Sequence, residues 1–284
     1  MPTELKLGVI NIVAQPHPEG VYLDALNHVA HNGVNFWGDD FATISQPNEI
    51  GDGLYQGRIL IWTEIDPDAP AINKAELVEV SLQDTGFVPP PELGFNGRIF
   101  TYTFREDIHH MFFELRNELG KNLAPKRANR IFSKLLAADR LPRDFPIVET
   151  TVIPEDDTID RLLGLHQLNK LSIFLKRPNA DEFGDRAQEV LEDLEDQGAR
   201  SQDVVLKKAP GVQTLTPNED NRLLAEVAAQ NGHVSAVGKE EDGSKIDGST
   251  LEYPKIMSAM VDDALSLAQA AARLARNYIP PRLG

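Results

Sequence analysis

From Lys6 to Ala14 the chain alternates and clusters Leu, Val and Ile, a pattern that predicts a strand, and it empties into the proline-rich turn Gln15-Pro16-His17-Pro18. The period then lengthens. Val21, Tyr22, Ala25, Leu26, Val29 and Ala30 recur at helical spacing between Gly20 and His31, and Gly33 stands beyond them as a stop. Between Val34 and Leu115 it shortens again to β-rich runs at Val34–Trp37, Phe41–Ser45, Leu54–Ile65, Leu77–Leu82, Ile99–Phe104 and His109–Leu115, most of them separated by Gly, Asn and Asp. The last two runs, joined by Arg105-Glu106-Asp107-Ile108, predict a hairpin with a four-residue loop. Three consecutive prolines at 89–91 put Asp84 to Gly97 in an exposed loop, because proline has no N–H to give a ladder. The region as a whole reads as an antiparallel sheet.

Helical patterns dominate the rest. Ala124 to Asp139 predicts a helix with Pro125 in its first turn and an apolar stripe of Ala128, Ile131, Phe132 and Leu135. Strands are expected over Pro146–Ile153 and Leu171–Leu175, with an acidic-ended helix over Glu155–Leu165 between them. A helix over Ala180–Gln197 starts at the capping-box-like Asn179…Glu182, stops at Gly198, turns Phe183, Ala187, Val190, Leu191 and Leu194 inward, and has an acidic outer face. Thr216-Pro217-Asn218-Glu219 combines a capping hydroxyl, a proline at the first helical position and a capping-box glutamate, predicting a helix to about Asn231. His233–Glu252 reads as a hairpin turning at Asp242-Gly243. Lys255 to Asn277 reads as one Ala-rich helix, with a stripe of Met257, Met260, Val261, Ala264, Leu265, Ala268, Ala271, Ala272 and Ala275. The expected class is α+β: a largely antiparallel N-terminal sheet with one early helix over residues 1–140, and a helix-richer C-terminal half over 141–284, the two forming separate regions or one continuous domain.

Composition narrows the chemistry. A length of 284 residues is enough for a substantial core, and 41% hydrophobic with 25% charged residues is ordinary for a globular chain. No run approaches the ~20 apolar residues that cross a bilayer, and Met1 to Lys6 lacks the charged-then-apolar order of a signal peptide. The expected setting is cytoplasmic, without membrane contact. The absence of cysteine excludes disulfides, a thiolate nucleophile and Cys-ligated zinc or iron–sulfur sites. With 28 Lys plus Arg against 44 Asp plus Glu, the net charge of −16 repels nucleic acid at long range, so any such contact requires a local basic patch.

Signatures of nucleotide hydrolysis, dinucleotide binding, the nucleophile elbow, the zinc-protease helix and the EF-hand loop are absent, and no cofactor is expected. Asp24, His28 and His31 fall at i, i+4 and i+7 on one helical face, with His17 in the preceding turn. Imidazole and carboxylate together suit zinc, manganese or iron, although the solvated side of an amphipathic helix has the same spacing. His109 and His110, as neighbours on a strand, point to opposite faces. Glu4-Leu5-Lys6 has the E-x-K spacing of one nuclease superfamily and Asp66-Pro67-Asp68 supplies two carboxylates, both patterns too common to discriminate. The clearest electrostatic feature is Lys126, Arg127, Arg130 and Lys134, which occupy about a 100° arc of one helix beside its apolar stripe. Lys121, Arg140 and Arg143 extend it. Such an arc suits a phosphate backbone, or the acidic helix at 181–197 of the same or another subunit, or simply water.

The order Gly8-Val9-Ile10-Asn11-Ile12, Pro16-His17-Pro18, the Tyr102–Glu114 hairpin and Leu171-Ser172-Ile173-Phe174-Leu175-Lys176-Arg177-Pro178-Asn179 resembles a bacterial domain-of-unknown-function family (DUF4747-like) over nearly the whole chain. The resemblance brings no catalytic positions with it. Through the phage-defence islands in which such genes sit, it implies a role in antiviral defence by association. The leading expectation is a defence-associated binding or sensor component that engages nucleic acid or a defence-system protein partner through the basic helix. The alternatives are a metal-dependent nuclease or other hydrolase using Asp24, His28, His31 and His17, and a structural homo-oligomer held by the C-terminal helix.

Overall fold

The computed structural model describes residues 3–177, 185–261 and 266–280. In chain order the elements are β1 (Thr3–Gln15), α1 (Val21–Val29), β2 (Val34–Trp37), β3 (Asp40–Ile44), β4 (Asn48–Gly51), β5 (Leu54–Thr63), β6 (Pro70–Asn73), β7 (Val78–Ser81), β8 (Phe95–Arg105), β9 (His110–Glu114) and α2 (Pro125–Leu135). They continue with β10 (Ile147–Val152), α3 (Thr158–Leu163), β11 (Gln167–Lys176), α4 (Asp185–Asp196), β12 (Ser201–Lys207), α5 (Glu219–Gln230), β13 (Gly232–Lys239), β14 (Lys245–Ser249), β15 (Ile256–Val261) and α6 (Leu267–Asn277). The α+β expectation holds, with a large antiparallel sheet built mainly from the N-terminal part and helices mostly later in the chain.

The main sheet has nine strands in the order β10-β1-β9-β8-β5-β3-β2, with β15 also beside β1 and β4 also beside β5. Strand β1 organises it: β9 pairs along Leu7–Asn11, while β15 pairs with Thr3–Gly8 and β10 with Ile10–Gln15. Apolar layers cover both faces. On one, Ile10, Ile12 and Ala14 pack with Tyr22, Ala25 and Leu26 of α1 and Ile131, Phe132 and Leu135 of α2. On the other, Leu5, Leu7, Val9, Leu54 and Phe112 pack with Ala270, Ala271 and Ala275 of α6. Burial from both sides explains why β1 reads as a nearly continuous apolar run. Gly57 permits one close approach: a Cβ there would lie 2.5 Å from the Tyr102 hydroxyl, which crosses β5 to donate to the Ser45 carbonyl at 2.9 Å.

Arg105, at the end of β8, holds α6 in place. Its guanidinium donates to the carbonyls of Ala275 and Arg276, both at 3.2 Å, and of Tyr278 at 2.6 Å. A cation thereby satisfies orphan acceptors at the negative end of the helix dipole. The second sheet has four antiparallel strands, β12-β11-β13-β14. Leu168, Leu171, Ile173, Leu175, Val234 and Ala236 face α3, α4 and α5 in their own core.

Three expectations change. Lys255–Asn277 is not one helix: Ile256–Val261 is β15, and α6 starts only after Ser266, whose side chain forms a capping box with Gln269. Along β15 exposure alternates, because the open ladder of Thr3–Gly8 offers hydrogen bonds that a short Met, Ala and Val run accepts as readily as a helix; Ala264 and Leu265 lie outside the described residues. The cap of α5 is Asn218, whose side chain accepts from the Asn221 N–H at 3.0 Å, so Thr216-Pro217 precede the helix and do not open it. Strands β4, β6 and β12 were not expected. The proposed capping pair Asn179…Glu182 lies outside the described residues, as does Phe183.

Candidate nucleic-acid interface

Helix α2 takes its position from its ends and its stripe. Pro125 occupies the first turn, where a missing N–H costs nothing, and Ala128, Ile131, Phe132 and Leu135 are buried toward β10, β1, β2 and β3. The orientation of that stripe leaves Lys126, Arg130 and Lys134 exposed. They stand at i, i+4 and i+8, so they form one row with about 6 Å between successive residues along the helix axis.

Arg127, the fourth expected cation, is engaged elsewhere. Its guanidinium is ion-paired with Asp40 and lies 5.2 Å from the centroid of the Phe36 ring. Asp40 also accepts from Arg98 at 2.8 Å and from the Thr63 hydroxyl at 2.7 Å. Burial works to raise the Asp40 carboxyl, but the hydrogen bonds from Thr63 and Arg98 and the charges of Arg98 and Arg127 outweigh it and hold it below the usual aspartate value. Arg127 thus clamps α2 to the β2–β3 hairpin. Arg140 has a similar task, donating to the carbonyls of Asn32 at 2.8 Å and Gly33 at 3.1 Å, whereas Lys121 and Arg143 are exposed.

One residue joins the row that helical spacing alone does not reveal. Trp37, the last residue of β2, is 61% exposed, and the Arg130 guanidinium lies over its ring, 4.1 Å from the centroid. Its exposure was legible in the strand's alternation, since Val34 and Phe36 point inward and Asn35 and Trp37 outward. Cations interleaved with an accessible aromatic ring are what a surface needs to hold phosphates and stack bases.

The metal candidates do not converge. Asp24 and His28 lie on the exposed side of α1, and His31 stands beyond its end with φ of 66° and its N–H bonded to the Ile44 carbonyl at 2.9 Å. His17 instead faces the ring of His109, 6.3 Å away, and His109 stacks on Tyr22 at 4.3 Å. Among the described residues no group of three or more His, Cys, Asp or Glu is placed to hold a metal ion. Glu4 and Lys6 pair with each other at 3.3 Å, and Asp66 accepts from the Asp68 N–H at 2.9 Å, a local turn contact.

On the α6 side of the main sheet, a cleft of about 840 Å³ is lined by Gln56, Arg58, Thr101, Glu114, Asn117 and Ser266, among others. Burial pushes the Glu114 carboxyl up, opposed by the Thr101 N–H that donates to it at 2.7 Å. None of the α2 cations lines this cleft.

No curated protein matches the chain. Residues 3–276, however, match the family described as Domain of unknown function (DUF4747), and the chain belongs to that family.

Proposed function

We propose that the chain is a binding component that holds a nucleic-acid backbone against Lys126, Arg130 and Lys134, with Trp37 beside them. The observation that carries this reading is an exposed row of cations backed by an exposed aromatic ring, in a chain whose net charge is −16. Long-range repulsion leaves only short-range contacts to supply affinity, so binding depends on counterion release and weakens steeply with salt. No bond making or breaking is asked of these residues. We place it as a cytoplasmic component of antiviral defence that senses or retains nucleic acid, the defence setting being implied by association alone.

Charge reversal tests it. In the full chain, Arg130→Glu with Lys134→Glu should weaken binding to a 20-base-pair duplex about tenfold or more at ~50 mM salt, across unrelated sequences, and flatten the log–log salt dependence by about 2. The variant should still fold, since neither side chain is buried, with a stability loss of about 1 kcal/mol from the lost Arg130–Trp37 contact. Equal binding by the folded variant rejects the proposal.

A second reading rests on charge complementarity within the chain. Helix α4 exposes Glu189, Glu192, Asp193 and Asp196, an acidic face on which α2 of another copy would dock. In that case sedimentation shows a dimer that dissociates at high salt and in the same double variant, and duplex binding is absent.

A further inference from the structure

The second sheet has one face in its core and another with different chemistry. Cross-strand pairing sets side chains on a common face, and the face turned away from α3, α4 and α5 carries Lys170, Ser172, Phe174 and Lys176 from β11. Its neighbours are Asp203, Val205 and Lys207 of β12, His233, Ser235, Val237 and Lys239 of β13, and Lys245 and Asp247 of β14. All of them are exposed or half-buried, and Val205 is 53% exposed.

Two properties of this face stand out. Phe174 lies against His233 with ring centroids 5.1 Å apart, making a two-ring platform on the two central strands. Burial lowers the His233 pKa, which favours its neutral, stackable form. The second property is charge. Lys170 lies directly opposite Lys207, and Lys239 directly opposite Lys245. Like charges in directly opposed positions destabilise a sheet, yet among the described residues none of these four lysines makes an ion pair; Lys176, further along β11, lies 3.8 Å from Glu149. Only Asp203 and Asp247 oppose five lysines on this face, in a chain where acidic residues outnumber basic ones by 44 to 28.

We infer that this open sheet face is a second binding site, for single-stranded nucleic acid, with Phe174 and His233 stacking bases and the opposed lysine pairs neutralised by the phosphate backbone. Both halves of the ligand are required by the surface. A polyanion alone would relieve the lysine repulsion and leave the aromatic platform unused, whereas a duplex hides the base faces that rings stack on. The site is independent of α2, contributes its own residues and persists whether or not α2 binds.

The test uses the full chain and 15-nucleotide oligo(dT) and oligo(U) labelled at one end, with a 15-base-pair duplex as comparison, followed by fluorescence anisotropy at ~50 mM salt. Phe174→Ala should weaken single-strand binding about 5- to 150-fold, the range that loss of one stacked base implies, while Phe174→Trp should restore it. Lys170→Glu with Lys207→Glu should weaken it and flatten its salt dependence by about 1.4, from ~0.7 per contact. Preference for one oligomer assigns the site to DNA or to RNA. Absence of single-strand binding, or binding that Phe174→Ala leaves unchanged, overturns the inference. So does loss in Arg130→Glu/Lys134→Glu with none in Phe174→Ala, which would put the strand on α2.

Discussion

Replacing Asp40 with Asn removes the anion shared by Arg98 and Arg127, leaving two partly buried guanidinium groups without a counter-charge. The expected cost at pH 7 is about 1–3 kcal/mol, above that of a surface pair and below that of a fully buried one. Because the folded state holds this carboxyl below its ordinary value, its contribution is present above the unfolded aspartate value and is lost as pH falls through the folded one. Urea unfolding at pH 7 and at about pH 3 should therefore show the two proteins converging in acid. His110 works in the same direction. Burial, followed by the charges of His109 and Arg105, drives its pKa from 6.5 down to about 3, and its Nδ1 has no hydrogen-bond partner among the described residues. Between those values the unfolded chain binds the extra proton, so stability falls as the medium is acidified. His110→Leu should remove one proton's worth of that slope, and an unchanged slope would show that the imidazole is solvated. What the sequence reveals at this scale is which residues are charged and where they point, as for Lys126, Arg130 and Lys134. Whether a charge is already neutralised depends on a residue 87 positions away, which no helical spacing reports for Arg127.

Helix α6 tests packing at the scale of an element. Ending the chain at Val261 removes it, exposing the Leu5, Leu7, Leu54 and Phe112 layer and depriving Arg105 of its three carbonyl acceptors, while its ion pair with Asp107 at 2.8 Å remains. At about 25 cal/mol per Å² of apolar surface, the loss should reach several kcal/mol, seen as a lower melting temperature. An unchanged melting curve would show that α6 adds nothing to the core. A smaller, local effect is expected at α5, where Asn218→Ala should cost about 1 kcal/mol by leaving the Asn221 N–H without its acceptor. Neither helix begins where its sequence pattern placed it, whereas elsewhere periodicity was sufficient. Strands β1, β2, β5 and β9 and helices α1 and α2 follow their apolar patterns because burial and local propensity agree. At β15 they do not, since the six-residue run Ile-Met-Ser-Ala-Met-Val suits either geometry and a strand distant in sequence decides.

On the scale of the molecule, the two proposed binding sites each gather lysine or arginine on the surface of an acidic chain. One is the exposed row of α2; the other is the outer face of the second sheet. The first was legible from four cations on one helix. The second was not, because its lysines come from strands β11, β12, β13 and β14 and meet only through sheet register. The salt dependence of duplex binding tests the central claim most directly. With Arg127 withdrawn to Asp40, three cations remain on α2, and a slope of about −0.9 per contact gives about −2.7 in a log–log plot. All four would give about −3.6. A full chain that binds a 20-base-pair duplex with a slope near −2.7, flattened by about 2 in Arg130→Glu/Lys134→Glu, is the predicted result. No duplex binding at ~50 mM salt, or a slope that the double variant leaves unchanged, would contradict the account.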